Sequence, residues 1–184
     1  LEVNGKPAAV FGIGGPHGAP GIALDPGQRF RLTLENRAAE PTILHWHGQT
    51  PPAAQDGVSD TGYGGPIPPG GTRDYDFEPR PGTHWMHSHH GLQEQLLMAA
   101  PLVVRTADDL RLDAQEVTVL LHDFTFKSPA EIMAGLARGM GSSPHHHMSM
   151  QGIDGGNMPG KAAMPGMDLN DVEYDAFLAN DRTL

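Results

Sequence analysis

Apolar and polar residues alternate with a period of two in several short stretches, the spacing of a strand with one face buried. In "RFRLTLEN" the alternation places Phe30, Leu32 and Leu34 on one face, and in "TRDYDFEP" it places Tyr75 and Phe77 together. "APLVVR" (Ala100 to Arg105) and "EVTVLLHDFTF" (Glu116 to Phe126) are more continuously apolar and predict more buried strands. Between these runs lie turn-forming clusters such as "LDPGQ", "PPAAQDGVSDTGYGGPIPPGGT" and "RPGT". No long amphipathic helix is predicted before Ser128. Short strands at this spacing favour an all-β fold, an antiparallel sandwich or barrel, over residues 1–107.

After Ser128 the pattern changes. "SPAEIMAGLARG" predicts a short helix: Ser128 as N-cap, Pro129 in the first position, Glu131 closing a capping box, Gly139 as the stop and Met133 on the buried side. Residues 139–168 form a low-complexity segment of Gly, Pro, His and Met, expected to be mobile unless a ligand orders it. Alternation resumes through Val172, Tyr174, Ala176 and Leu178. Residues 108–184 therefore read as the incomplete start of a second β domain.

Composition narrows the function. With 22 acidic and 12 basic residues the net charge is −10, the wrong sign for a nucleic-acid or anionic-membrane partner. No run reaches the roughly 18–20 apolar residues of a membrane span, and the start lacks the pattern of a signal peptide. Gly (24) and Pro (17) are abundant while aromatics make up 6%, which suits short strands joined by turns. Cysteine is absent, which excludes disulfides, thiolate metal ligands and a cysteine nucleophile in this chain.

The chemistry concentrates in "ILHWHGQT" and "THWMHSHHG". Residues i and i+2 of a strand share a face, so His45 projects with His47 and His87 with His89. If the two strands lie near each other, the four imidazoles converge on one site that suits copper, zinc, iron or nickel. His84 and His90 fall on the other face by the same alternation. Glu94 reads as a local hydrogen-bonding residue, and Asp56 before Gly57 also fits a turn.

"HWHG" followed about 40 residues later by "GTHWMHSHHGLQEQ", together with "DPGQRFRLTLEN" and "DGVSDTGYGGPIPPGGTRDYDFEPRPGTHWMHSH", resembles the first cupredoxin domain of the multicopper oxidases. These are laccase-like enzymes that couple substrate oxidation to reduction of dioxygen to water. The resemblance implies a cupredoxin-like Greek-key sandwich or barrel over residues 1–107, with a partial second β domain. It implies that His45 binds a type 2 copper and that His47, His87 and His89 bind the paired type 3 coppers. It assigns Asp56 a catalytic role in proton delivery. The family's remaining cluster histidines and the His-Cys-His motif that wires them to a type 1 copper belong to its last domain. No such motif occurs here, His122 does not fit it, and a type 1 site needs a thiolate.

An N-terminal piece of a multicopper oxidase is thus expected, inactive alone and completed by further cupredoxin domains or a partner chain. Phenolic compounds or Cu(I) are the expected electron donors, and the periplasm or secretion the expected location. The alternative is a non-enzymatic module for copper binding or tolerance; a zinc hydrolase lacks a general base. Met140, His145, His146, His147, Met148, Met150, Met158, Met164 and Met167 are candidates for accessory copper contacts, since thioethers favour Cu(I). The same segment also reads as a plain linker.

Overall fold

The computed structural model describes residues 1–141 and 172–183. In chain order the elements are β1 (Glu2–Val3), β2 (Lys6–Pro7), β3 (Ile22–Leu24), β4 (Phe30–Glu35), β5 (Leu44–His47), β6 (Thr72–Phe77), β7 (Gly82–Ser88), β8 (Ala99–Val104), β9 (Leu121–Phe124), α1 (Pro129–Gly141), β10 (Ala176–Ala179) and β11 (Arg182–Thr183). The fold is mostly β, with α1 the one α-helix among the described residues.

Two sheets enclose the main core. One has the order β3-β8-β7-β5 and the other pairs β4 with β6. The amphipathic alternation explains this arrangement. Phe30 opposes Phe77 and Leu32 opposes Tyr75 across β4 and β6, and the same-face aromatics meet Trp46, Met86, Leu102 and Val104 from the larger sheet. Trp46 is 1% exposed, with ring centroids 4.7 Å from Phe30 and 4.8 Å from Tyr75. Its indole N–H donates to Gln55 O at 2.9 Å, so the polar end of the ring is satisfied inside the core. The pairing is antiparallel except between β3 and β8, which run parallel, and the described sheets form no closed barrel.

A second cluster joins Val3, Leu97, Phe124, Ala176 and Leu178. It rests on the sheet β11-β10-β9, in which Phe124 opposes Ala176. These residues belong to one compact unit, residues 1–124 with the segment from Ala176 onward; residues 125–175 form the other.

Several expectations need correction. The strand predicted over Glu116 to Phe126 is confined to Leu121–Phe124, and Val117, Val119 and Leu121 are 70%, 55% and 68% exposed. Pairing with β10 begins only at Leu121, and Asn180 closes the ladder there through its bonds with Leu120. The last stretch forms a strand only from Ala176, leaving Tyr174 42% exposed. In the second unit the capping box forms, with Ser128 N and Oγ donating to Glu131 Oε2 at 2.8 and 2.7 Å. The helix nevertheless runs through Gly139, where glycine costs about 1 kcal/mol without terminating the hydrogen-bond ladder. Met133 is 53% exposed rather than buried. Pro129, Ile132 and Leu136, spaced three and four residues apart on one face, are half-buried, and Met133 is rotated off that face.

Candidate metal centre

Antiparallel register builds the site. β5 and β7 pair with His45 directly opposite His87 and His47 opposite Trp85. Trp46 and Met86, the intervening residues, point into the core, so the histidines occupy the outward face of the four-stranded sheet. His89 lies one residue beyond the end of β7, but its backbone N–H donates to Ile43 O at 2.9 Å, which continues the ladder far enough to hold it.

One ring nitrogen from each of His45, His47 and His87 comes within 4.8 Å of the others. The His89 ring centroid is 5.7 Å from that of His45 and 6.0 Å from that of His87, so the fourth imidazole stands beside this trio. Trp85 stacks on His87 with centroids 4.2 Å apart and ring planes 18° from parallel, and its centroid is 5.3 Å from that of His47. The indole therefore forms an apolar wall against two of the four rings.

Hydrogen bonding sets the tautomers. His45 Nδ1 lies 2.9 Å from Asp56 O, and His87 Nδ1 lies 3.1 Å from Ser88 O. A carbonyl oxygen only accepts, so Nδ1 carries a proton in both rings and Nε2 is the nitrogen left for a further contact. Nε2 of His87 is buried and has no hydrogen-bond partner among the described residues, which fits a metal-ligating nitrogen. Burial holds the His87 imidazole below the ordinary histidine value, opposed by the Glu94 carboxylate and the Ser88 carbonyl and reinforced by His45 and His47. The ring is accordingly neutral near pH 7, the form that binds metal. The donor set is all-nitrogen and suits copper or another borderline transition ion.

The other candidates are placed as follows. Asp56 ends a single turn of 3-10 helix, and its Oδ1 is 3.5 Å from His45 Nδ1. His84 Nε2 is 3.2 Å from Pro81 O, and His90 meets Ser88 Oγ through its backbone N–H; neither joins the trio. Glu94 does more than the sequence suggested: its Oε2 lies 3.0 Å from His87 Nδ1. No spacing rule could have found that contact, because a turn between β7 and β8 creates it. His145, His146, His147, Met148, Met150, Met158, Met164 and Met167 lie outside the described residues.

Comparison with known proteins agrees with the donor chemistry. A family model described as multicopper oxidase matches residues 1–109. Copper resistance protein A from Pseudomonas syringae pv. tomato is 33% identical over 141 residues, which are 75% of this chain and 23% of that protein. Multicopper oxidase MmcO from Mycobacterium tuberculosis is 28% identical over 189 aligned positions, 99% of this chain and 36% of that protein. Among solved structures, a laccase-like multicopper oxidase, CueO from Ochrobactrum sp., superposes with a TM-score of 0.55 at 26% identity, covering 68% of this chain and 31% of that one. The sheets thus have the cupredoxin arrangement of the multicopper oxidases. The chain spans about a quarter to a third of the length of these curated relatives.

Proposed function

The chain belongs to the multicopper oxidase family, and from that premise we propose that it supplies one half of a copper cluster coupling substrate oxidation to the four-electron reduction of dioxygen to water. The observation that carries this reading is the buried Nε2 of His87, without a partner among the described residues and held within reach of His45 and His47. In this reading His45 holds a type 2 copper, and His47, His87 and His89 hold type 3 coppers. Bound copper supplies the one-electron steps that neither imidazole nor carboxylate can perform.

The chain's own residues bind and orient. The Asp56 carbonyl fixes the His45 ring, while its carboxylate, 29% exposed and 3.5 Å from Nδ1, can carry a proton between solvent and the cluster. Trp85 excludes water from one side of His87. A type 1 copper needs a thiolate, and the chain contains no cysteine. The remaining ligands and the electron entry site therefore come from further cupredoxin domains or a partner chain, and residues 1–107 and 108–184 are one domain and the start of a second. Phenolic compounds or Cu(I) are the proposed donors and the periplasm or extracellular space the proposed location. The residues from His145 to Met167 are proposed as accessory copper contacts.

A second reading, a copper-binding module without turnover, is favoured by the same lack of cysteine and by the name of the copper resistance relatives. Chelator competition and oxygen uptake test both. The chain should bind copper, the double replacement His45→Ala with His87→Ala should abolish its tightest site, and deletion of residues 140–167 should remove only weaker Cu(I) binding. Equal uptake by both variants defeats the ligand assignment. Oxygen consumption by the copper-loaded chain alone, with a phenolic donor, defeats the claim that the cluster is half complete.

A further inference from the structure

His87 is the most enclosed of the four imidazoles, at 6% exposed. Its ring is gripped on one face by Trp85 and at Nδ1 by two oxygens of different origin. The Ser88 carbonyl at 3.1 Å belongs to the adjacent residue and comes with the strand. The Glu94 carboxylate at 3.0 Å comes from the turn that follows β7. The Nδ1 hydrogen bond is the one to the Ser88 carbonyl, so the Glu94 carboxylate stands beside the N–H as a charge rather than as its acceptor.

Glu94 is held in place by a local framework. Gln93, immediately before it, is 3% exposed. Its amide oxygen accepts from Thr42 Oγ1 at 2.7 Å and Ser88 Oγ at 2.6 Å, and its amide nitrogen donates to Glu40 Oε1 at 2.7 Å and Pro41 O at 2.9 Å. On the other side Leu97, at φ 68°, closes the turn and donates its N–H to Glu94 O at 2.9 Å. The same network holds Ser88, the residue between His87 and His89. The turn thus positions the carboxylate against His87 while tying the HSH segment to the loop before β5.

We propose that Glu94 is a positioning residue: its carboxylate keeps the His87 proton on Nδ1 and the ring oriented so that Nε2 is presented to the metal. Carboxylates behind metal-bound histidines raise ligand basicity and fix the tautomer, and their loss typically weakens metal binding about 10- to 100-fold. The proposal rests on His87 being a metal ligand. The Ser88 carbonyl remains when Glu94 is removed, which puts the expected loss near the lower end, about tenfold.

Two measurements separate this proposal from the reading it rests on. In the metal-free, 15N-labelled chain, long-range proton–nitrogen correlation at alkaline pH reports which His87 nitrogen is protonated. The wild type should have the proton on Nδ1. Glu94→Gln and Glu94→Leu both remove the charge and should raise the share protonated on Nε2, while the Ser88 carbonyl still retains part of the proton on Nδ1. Copper affinity from chelator competition should fall by up to about tenfold in both variants. A wild-type proton on Nε2, or a Glu94→Leu chain with unchanged tautomer and affinity, overturns the role of Glu94. If the tautomer responds as expected but His87→Ala leaves copper uptake intact, the positioning stands and the ligand assignment fails.

Discussion

Gly57 follows Asp56 in the turn behind the first histidine pair, and replacing it with alanine tests how firmly that turn is pressed onto β5. Its φ is +76°, in the left-handed region, and a Cβ added there would fall 1.7 Å from Leu44 O, 2.5 Å from Leu44 C and 3.0 Å from His45 N. Ordinary contact begins near 3.4 Å. All three neighbours are main-chain atoms, so no side chain can rotate away and the strand or the turn must move. Gly5, in the hairpin between β1 and β2, provides a matched control: its φ is +75° and nothing lies within 4 Å of the point a Cβ would occupy. Gly5→Ala therefore carries only the left-handed penalty of about 1–2 kcal/mol.

Gly57→Ala adds the displacement of Leu44 and His45, which brings it to about 4 kcal/mol or more, the range reserved for strain at a special backbone position. For a chain of this size 1 kcal/mol moves Tm by about 2–4 °C, so Gly5→Ala should lower it by about 2–8 °C and Gly57→Ala by about 8–16 °C or more. Thermal unfolding followed by circular dichroism compares the two, and copper competition on the folded fraction gives a second readout. Gly57→Ala should bind copper more weakly because His45 moves with its strand, whereas Gly5→Ala should bind as wild type. Equal Tm losses, or unimpaired copper binding by Gly57→Ala, would refute the claim that this turn sets the position of β5.

Gln93→Leu leaves the Thr42 and Ser88 hydroxyls without their acceptor and the Pro41 carbonyl without its donor, at about 1–3 kcal/mol for each group left unpaired. Urea unfolding should show a loss of about 3 kcal/mol, since Thr42 retains Met98 Sδ at 3.1 Å as a fallback; a loss under about 1 kcal/mol would mean the network relaxes freely. Burial holds the His122 imidazole below its ordinary value, opposed by Asp123, so on acidification the unfolded chain takes up this proton before the folded one does. Its contribution is full above the unfolded value near 6.5 and declines as pH falls from there toward the folded value. His122→Gln should flatten that part of the Tm–pH curve, and superimposable curves would dismiss the effect.

The faces of β4, β5, β6 and β7, though not their pairing, were legible because period-two alternation reports directly which side chains share a face, and a face either enters the core or does not. The same rule places His45 with His47 and His87 with His89. It fails where pairing depends on distant residues. Val117 and Val119 have strand composition, yet the partner strand for this region begins at Ala176 and its ladder stops at Leu121, where Asn180 turns the chain. Met133 failed for a related reason, one residue of helical rotation separating it from the face of Ile132 and Leu136.

The metal centre divides along the same line. Which side chains gather at the candidate site follows from residue type and face, but proton position follows from whichever acceptors the loops bring up behind each ring. For His45 that acceptor is the main-chain carbonyl of Asp56, which would be present whatever side chain stood there, so the carboxylate that drew attention in the sequence is free for a separate task. For His87 the acceptor is again a carbonyl, and the Glu94 carboxylate stands beside it as a charge, delivered by a turn whose geometry depends on a buried glutamine and a left-handed leucine. Glu94 therefore offered no pattern to recognise: its spacing from His87 matches no helix or strand period, and only the folded turn makes the two residues neighbours.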